Sequence, residues 1–310
     1  MKKFSIFFLL TFICLGASAR LGYAQELINI VCTIGQITDI TKEIGGTRVH
    51  VIGLMGAGVD PHLYKASESD VRKLSNADMI LYSGINLEAK MGSVFKRMGS
   101  SKKIVAVSES IPDEFLLDSV QYAGHFDPHV WFDVELWMKS SEKIRDTLIE
   151  FDPDGKSIYE QNFIEVIKEL EDLDRYIKVR AQELTKDQRV LVTAHDAFRY
   201  FGRKYEFEVV GLQGISTESK AGVKDVIELA KFITERKIKA IFVESSVPER
   251  NIKAVQDAVK AQGWDVAIGG ELFSDALGNE GTVEGTYVGM VKHNIDTIVD
   301  ALKSGKGEQH

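Results

Sequence analysis

Two Asp-Pro-His tripeptides are the residues of this chain with the clearest potential for chemistry. They are Asp60-Pro61-His62 and Asp127-Pro128-His129, in a sequence that contains only five prolines and seven histidines. Proline fixes its own φ and pushes the preceding residue toward an extended conformation, so each tripeptide predicts a rigid loop that holds an imidazole in place. Repeated imidazoles on rigid loops indicate metal ligands.

A third imidazole and a carboxylate follow strands in the second half of the chain. His195 comes directly after a predicted strand at 189–194, and Asp275 comes after one at 264–269. Because ligands bind beyond the carboxyl ends of strands in open parallel sheets, both side chains are candidates for the same site. Taken alone, His195 could be an ordinary residue between a strand and a helix, and Ser274 or Asp275 could cap a helix.

Together, His62, His129, His195 and Asp275 would complete a tetrahedral shell for Zn²⁺. Catalytic zinc keeps one coordination position open for water, so a shell filled by four side chains favours binding over catalysis. The sequence also lacks a Gly-x-x-x-x-Gly-Lys-Ser/Thr phosphate loop, a Gly-x-Ser-x-Gly elbow and a His-Glu-x-x-His motif. We therefore expect a binding protein, not an enzyme.

The remaining histidines receive a different interpretation. His125 lies four residues before His129 and could touch an ion in transit, although we expect it to face solvent. His50, His293 and His310 are interpreted as structural or tail residues.

Short β-branched segments alternate with longer amphipathic ones, which predicts βαβ units and parallel sheets. Strands are expected at residues 28–34, 48–55, 79–83, 103–107, 189–194, 207–212, 240–244 and 264–269. Helices are expected at residues 36–44, 67–76, 134–150, 197–205, 220–236, 249–262 and 286–302.

A longer helical segment separates the two halves. Asp152-Pro153 offers an N-cap and a proline at the first helical position, and the apolar residues from Phe163 to Leu184 repeat with the period of a helix. About 30 residues of helix would be about 45 Å long. We interpret this segment as a rigid link between two α/β lobes, each with a parallel sheet; the alternative is one helix of a single larger domain.

The chain is therefore divided into three predicted units, an N-terminal lobe at 25–151, the linking helix at 152–186 and a C-terminal lobe at 187–310. The tail from Ser304 is expected to be disordered.

The first residues have the layout of a secretory signal. Lys2-Lys3 precedes an apolar run at 4–15, and small residues follow it. Cleavage after Ala19 or Ala24 fits this layout, with Ala24 favoured, so 1–24 is interpreted as a signal peptide. The apolar run is too short to span a bilayer. The mature protein is expected to be soluble and exported, most simply to the periplasm.

Removal of the signal peptide changes the net charge of the chain and the number of its cysteines. It takes away three basic residues and no acidic ones, which changes the net charge from −8 to −11. An acidic surface argues against nucleic acids and anionic membranes as partners. Ile13 precedes Cys14, where lipoprotein processing requires a small residue, so a lipid anchor is not expected. Only Cys32 would remain, and no intrachain disulfide could form.

Six segments together resemble one family of proteins. They are 59–64, 126–133, 193–201, 211–217, 242–246 and 272–277, and they include all four candidate ligands. With them the chain resembles the periplasmic zinc/manganese solute-binding proteins of ABC importers, the TroA and ZnuA type, and most closely the TroA subgroup. The resemblance runs over essentially the whole mature chain.

This resemblance implies two α/β lobes, a rigid linking helix and a metal bound in the cleft between the lobes. His62, His129, His195 and Asp275 match the family's ligand positions one by one. The implied partners are an ABC permease of the inner membrane and its separate ATPase, and the protein is expected to be a monomer. A metal-binding adhesin or surface protein and a secreted metallohydrolase remain as alternative functions.

The resemblance also bears on the choice of ion. Manganese-selective relatives tend to carry Glu at the position of His195. Many zinc-specific relatives carry a long loop rich in His, Asp and Glu before the second Asp-Pro-His, where this chain has only 118–125 with a single histidine. Three imidazoles suit zinc, whereas Mn²⁺ prefers more oxygen donors. We therefore favour Zn²⁺ as the transported substrate and keep Mn²⁺ as the alternative.

Overall fold

The computed structural model describes residues 26–119 and 121–305. The predicted signal peptide at 1–24 and residues 306–310 of the predicted tail lie outside the described residues, so the predictions made for them stay predictions. Ser304, the predicted first residue of the disordered tail, is instead the last residue of a helix. Within the described ranges, no helix combines the length and the apolar character that a membrane crossing requires.

The first half of the chain forms a four-stranded parallel sheet in the order β2-β1-β3-β4. Its strands are β1 (Ile28–Cys32), β2 (Val49–Gly53), β3 (Met79–Tyr82) and β4 (Lys103–Ala106). All four begin and end within two residues of the predicted bounds. In the central strand β1, Ile30, Val31 and Cys32 are buried, as expected for a parallel strand with helices on both faces.

Four helices accompany this sheet. They are α1 (Gly35–Gly45), α2 (Glu68–Asn76), α3 (Gly92–Met98) and α4 (Val134–Phe151). Ser67 and Asp70 form a capping box at the start of α2, and the Asp133 side chain accepts from the Glu135 backbone N–H at the start of α4. The sequence analysis missed α3, which buries only Phe95 and so lacks an amphipathic pattern.

The long central helix α5 (Lys156–Ala181) has 26 residues and is shorter than predicted. It would measure about 39 Å at the usual rise. A 3₁₀ turn at Pro153–Gly155 precedes it, and Asp152 does not cap the helix with its side chain. The Asp152 carboxylate instead accepts from the Arg48 guanidinium at 2.6 and 2.7 Å and from the Tyr159 hydroxyl at 2.6 Å. Asp152 and Pro153 thus take the predicted N-cap and first positions, but of the 3₁₀ turn and not of α5, and the Asp152 side chain binds Arg48 and Tyr159.

The second half contains two two-stranded parallel sheets. β5 (Val190–His195) pairs with β6 (Glu208–Gln213), and β7 (Ala240–Glu244) pairs with β8 (Ala267–Leu272). β5 also lies beside β7, so the carboxyl ends of these two strands are neighbours. The helices of this half are α6 (Arg199–Tyr205), α7 (Val223–Arg236), α8 (Arg250–Ala261) and α9 (Tyr287–Ser304).

One large apolar cluster extends through both halves. Helix α5 packs on α1 and α4 of the first half and on α9 of the second. Its buried face includes Val166, Leu170, Leu173 and Ile177, which join the same cluster as residues of β1 and α9. A second cluster lies on the other face of the second-half strands, against α7 and α8. The α/β class with two lobes linked by a long helix is therefore confirmed.

Candidate metal centre

The structure brings the four predicted ligands together. His62 lies in the loop after β2, His129 opens a 3₁₀ turn at Val130–Phe132, and His195 is the last residue of β5. Asp275 follows β8 in a loop. One donor atom from each of the four lies within 4.8 Å of the others.

The donor atoms face one another across a small space. Nε2 of His62 lies 3.3 Å from Nε2 of His129, and Nε2 of His129 lies 3.3 Å from Oδ1 of Asp275. Oδ2 of Asp275 lies 3.3 Å from Nε2 of His195 and 3.7 Å from Nε2 of His62. The four residues are between 0% and 5% exposed. Both carboxylate oxygens and three ring nitrogens thus converge on one buried point.

Carboxylates behind two of the imidazoles fix which nitrogen faces inward. Nδ1 of His129 lies 2.7 Å from Oδ1 of Asp127, and Nδ1 of His195 lies 2.5 Å from Oε2 of Glu244. Since a carboxylate accepts, Nδ1 carries a proton in both rings, and Nε2 is the nitrogen that faces the centre and can coordinate an ion once it has lost its own proton. The same carboxylates also accept from the backbone N–H of their histidine, at 3.0 and 2.8 Å.

His62 is held differently from the other two histidines. Asp60 accepts from the His62 backbone N–H at 2.8 Å, and its other oxygen accepts from the Thr217 hydroxyl at 2.5 Å. In the described part of the chain, Nδ1 of the His62 ring has no hydrogen-bond partner. The backbone of His62 is therefore fixed, whereas no hydrogen bond at Nδ1 orients its ring among the described residues.

The loop that carries Asp275 is anchored to both halves. Asn294 of α9 accepts from the Phe273 backbone N–H at 2.9 Å and donates to its carbonyl at 2.7 Å. The buried Trp131 indole, two residues after His129, donates to the Ser274 carbonyl at 3.1 Å. These contacts hold the carboxylate against the imidazoles.

Burial and the Asp275 carboxylate set the protonation of the centre. Burial lowers the pKa of His62 to about 3, which outweighs the opposite effect of Asp275. Burial also acts to lower the pKa of His129, but Asp127 and Asp275 outweigh it and raise this pKa to about 9. Burial likewise opposes the effect of Glu244 and Asp275 on His195, whose pKa nevertheless rises well above its usual value. Burial would raise the pKa of Asp275, yet the His195 and His129 imidazoles hold it well below its usual range.

This arrangement fits a cation. Nε2 of His195 and both carboxylate oxygens of Asp275 are buried without a hydrogen-bond partner, because their 3.3 Å contacts lack hydrogen-bond geometry. Buried polar atoms of native proteins are normally satisfied, so three unsatisfied atoms around one point indicate a missing positive partner. Three imidazoles and one carboxylate match the donors that Zn²⁺ prefers. A metal-free centre would hold protons on His129 and His195 that an arriving ion displaces.

Other sequence expectations fare differently. His125 is exposed, and its Nδ1 lies 2.6 Å from Nδ2 of Asn86, so it lies outside the four-residue centre. The alternative in which Ser274 or Asp275 caps a helix is wrong, because the next helical turn, Val283–Gly285, is capped by Thr282 and α9 is capped by Thr286.

Sequence reasoning missed two residues that position the imidazoles. Glu244 is fully buried at the carboxyl end of β7, and Asp127 was interpreted only as part of a rigid loop. One signal for Glu244 is present in the sequence: it ends a strand that is otherwise apolar and buried, and a buried carboxylate needs a polar partner. His195 on the neighbouring strand β5 is that partner.

Comparisons with known proteins agree with this geometry. A family model, ZnuA, described as zinc-uptake complex component A, periplasmic, matches residues 30–301. The zinc-binding protein TroA of Treponema pallidum (strain Nichols) is 55% identical over 273 residues, which cover 88% of each chain. The manganese-binding lipoprotein MntA of Bacillus subtilis (strain 168) is 47% identical over 280 residues, which cover 90% of this chain and 91% of MntA.

The fold also matches a solved structure. The periplasmic zinc binding protein TroA from Treponema pallidum superposes with a TM-score of 0.87 at 53% identity. The superposition covers 89% of this chain and 99% of that one.

Proposed function

Because the chain belongs to the ZnuA family of periplasmic zinc-uptake components, we propose that it captures a divalent transition-metal ion and delivers it to an ABC import permease. It is a metal-binding, substrate-binding protein, and the ion is its transported substrate. The observation that carries this proposal is the convergence of three Nε2 atoms and two unpaired carboxylate oxygens on one buried point.

We assign the ion to His62, His129, His195 and Asp275. The carboxylates of Asp127 and Glu244 support this assignment, because they turn two Nε2 lone pairs toward the centre. With four side chains around the ion, a water nucleophile has no coordination position if all four bind at once. The family match and the names of the relatives point in the same direction, since they describe metal-binding transport components and not enzymes.

Zinc is the favoured ion, and manganese is the second candidate. Three imidazoles favour zinc, which prefers nitrogen donors. One observation also admits Mn²⁺: Oδ1 of Asp275 faces His129 while Oδ2 faces His195 and His62, so both oxygens could bind one ion. Bidentate binding would raise the coordination number to five. The relatives named above include one zinc-binding and one manganese-binding protein.

The wider assignment follows from the family. The protein acts outside the cytoplasm, and we propose the periplasm, with residues 1–24 as its cleaved signal and no lipid anchor. Its partners are the permease and its separate ATPase, and we propose that it acts as a monomer. We also propose the units 25–151, 152–186 and 187–310 as two lobes and their link.

The linking helix limits how the lobes can move. Because α5 packs on α1, α4 and α9, a wide hinge motion would break contacts with both halves. We therefore expect metal binding to order local loops and not to rotate the lobes widely. A large rigid-body rotation between metal-free and metal-bound crystal structures would contradict this.

The direct test is elemental analysis of protein purified without chelator, followed by competition between Zn²⁺ and Mn²⁺. We expect one ion per chain and tighter binding of Zn²⁺. His195→Ala should lose binding, whereas His50→Ala should not, since the exposed His50 ring contacts only Asn29 at 3.2 Å among the described side chains. Equal metal content in the two variants would refute the four-ligand assignment.

A further inference from the structure

A cavity of about 260 Å³ adjoins the metal centre on one side, and we call it the access cavity. His62 forms part of its wall, together with Ile85, Asn86, His125 and Glu218. The larger cavities of about 460 and 320 Å³ elsewhere on the protein are lined by none of the four ligands. The access cavity therefore connects the centre to the surface on the His62 side.

His62 is the ligand best able to move. The Nδ1 atoms of His129 and His195 are held by carboxylates at 2.7 and 2.5 Å, while Nδ1 of His62 has no partner in the described ranges. His62 is also 5% exposed, whereas the other two imidazoles are 0% exposed. Its ring can therefore turn into the access cavity without breaking a hydrogen bond at Nδ1.

Two polar contacts lie on the solvent side of this cavity. Nδ2 of Asn86 is 2.6 Å from Nδ1 of His125, and both residues are exposed. Lys90 forms an ion pair with Glu218, which joins the first half of the chain to the second. Both contacts involve the segment 84–90, so this segment closes the cavity from one side.

The backbone of this segment is strained. Gly84, Ile85 and Asn86 have consecutive φ values of 85°, 52° and 61°, and a β-branched residue rarely adopts positive φ. The buried Glu88 carboxylate holds the turn by accepting from two backbone N–H groups and from the Thr33 hydroxyl at 2.6 Å. Such strain persists only where surrounding contacts maintain it. Loss of the Asn86–His125 or the Lys90–Glu218 contact would thus make the strained segment 84–90 more mobile.

We propose that the metal ion reaches and leaves its site through the access cavity, with His62 as the moving ligand and the Asn86–His125 and Lys90–Glu218 contacts as its gate. This inference rests on the proposed function, because it concerns the route to the same four ligands. A group that acts only along the route changes the barrier equally in both directions. It therefore alters the association and dissociation rate constants by the same factor and leaves Kd unchanged.

The test uses Zn²⁺ alone as the probe, with stopped-flow association and a chelator chase for dissociation. Lys90→Met and His125→Leu each remove one gate contact. We expect both rate constants to rise by about two- to fivefold, the range given by exposed polar contacts, with Kd constant within about twofold.

Two matched controls are present in the chain. Lys42→Met removes another ion pair that joins the two halves, Lys42–Glu280, which borders a different cavity. His50→Leu removes another exposed ring that contacts an asparagine side chain. Unchanged rate constants in both gate variants, or equal acceleration in the controls, would overturn the route. If the unmodified protein bound no zinc, the assignment of zinc to the four ligands would fail before any rate was measured. A failure of the route alone leaves zinc binding intact, so the two failures are distinguishable.

Discussion

Zinc binding should release protons at neutral pH, and this prediction tests the electrostatics of the centre directly. Asp127 and Asp275 raise the pKa of His129 to about 9, and the pKa of His195 is also raised. An imidazole must lose its proton from Nε2 before it can coordinate. Each of these two histidines therefore exchanges a proton for the ion, whereas His62, with a pKa of about 3, does not.

The size of the effect follows from the His129 pKa. Because pH 7 lies about two units below the pKa of His129, removing its proton costs about 2.7 kcal/mol at that pH, or about a hundredfold in affinity relative to the fully deprotonated ring. His195 adds to this effect in the same direction. The usual histidine pKa would place the loss of affinity below about 6.5. The carboxylates of this site raise the pH at which zinc affinity begins to fall to about 9, which is the pKa of His129.

Titration calorimetry in two buffers of different ionisation enthalpy measures the number of protons released. We expect between one and two protons per zinc at pH 7, and an affinity that falls at least about fiftyfold from pH 9 to pH 7. Asp127→Asn should release fewer protons, because it removes the nearest carboxylate from His129. Zero protons released at pH 7, or an affinity that is constant from pH 9 to pH 6, would refute the reasoning.

Three further outcomes are expected. Glu244→Gln should weaken zinc binding by about 10- to 100-fold, measured by chelator competition, because the ring of His195 loses its orienting carboxylate. Zinc at about a thousand times its Kd should stabilise the unmodified protein by about 4 kcal/mol in thermal unfolding and should not stabilise His195→Ala. Asp152→Ala should cost about 1–3 kcal/mol in urea unfolding with unchanged zinc affinity. Glu235→Gln, which removes the exposed ion pair of Glu235 with Lys231, should cost less than about 1 kcal/mol.

Much of the fold could be predicted because several strands, β3, β5 and β7, are buried at nearly every position. Val190–His195 is buried at every position, and such a segment is visible in the sequence as an uninterrupted apolar and β-branched run. Gly92–Met98 could not be recognised, because a helix that buries one phenylalanine leaves no periodic pattern. The start of α5 was misplaced for another reason. Asp152 has a local capping role available, but it binds Arg48, which lies 104 residues earlier in the chain.

The candidate site divides in the same way. His62 and His129 could be identified from the sequence because proline marks each loop locally. His195 and Asp275 were only candidates on their own, since what distinguishes them is their approach to each other at 3.3 Å. Glu244 orients the His195 ring only because β5 and β7 lie side by side, and no local sequence pattern predicts that these two strands are neighbours.

The apolar cluster shared through α5 has a consequence for how the chain unfolds. Leu170 and Ile177 of α5, Ile30 of β1 and Ile298 of α9 belong to one continuous cluster, so the first half cannot melt without disturbing a core that it shares with the second half. The cluster against α7 and α8 lies within the second half alone, but the strands that form it also border the shared cluster. Melting should therefore be cooperative along the whole chain, in a single transition. An ion bound between the lobes then stabilises segments far from the centre against unfolding, as well as the loops that carry its ligands.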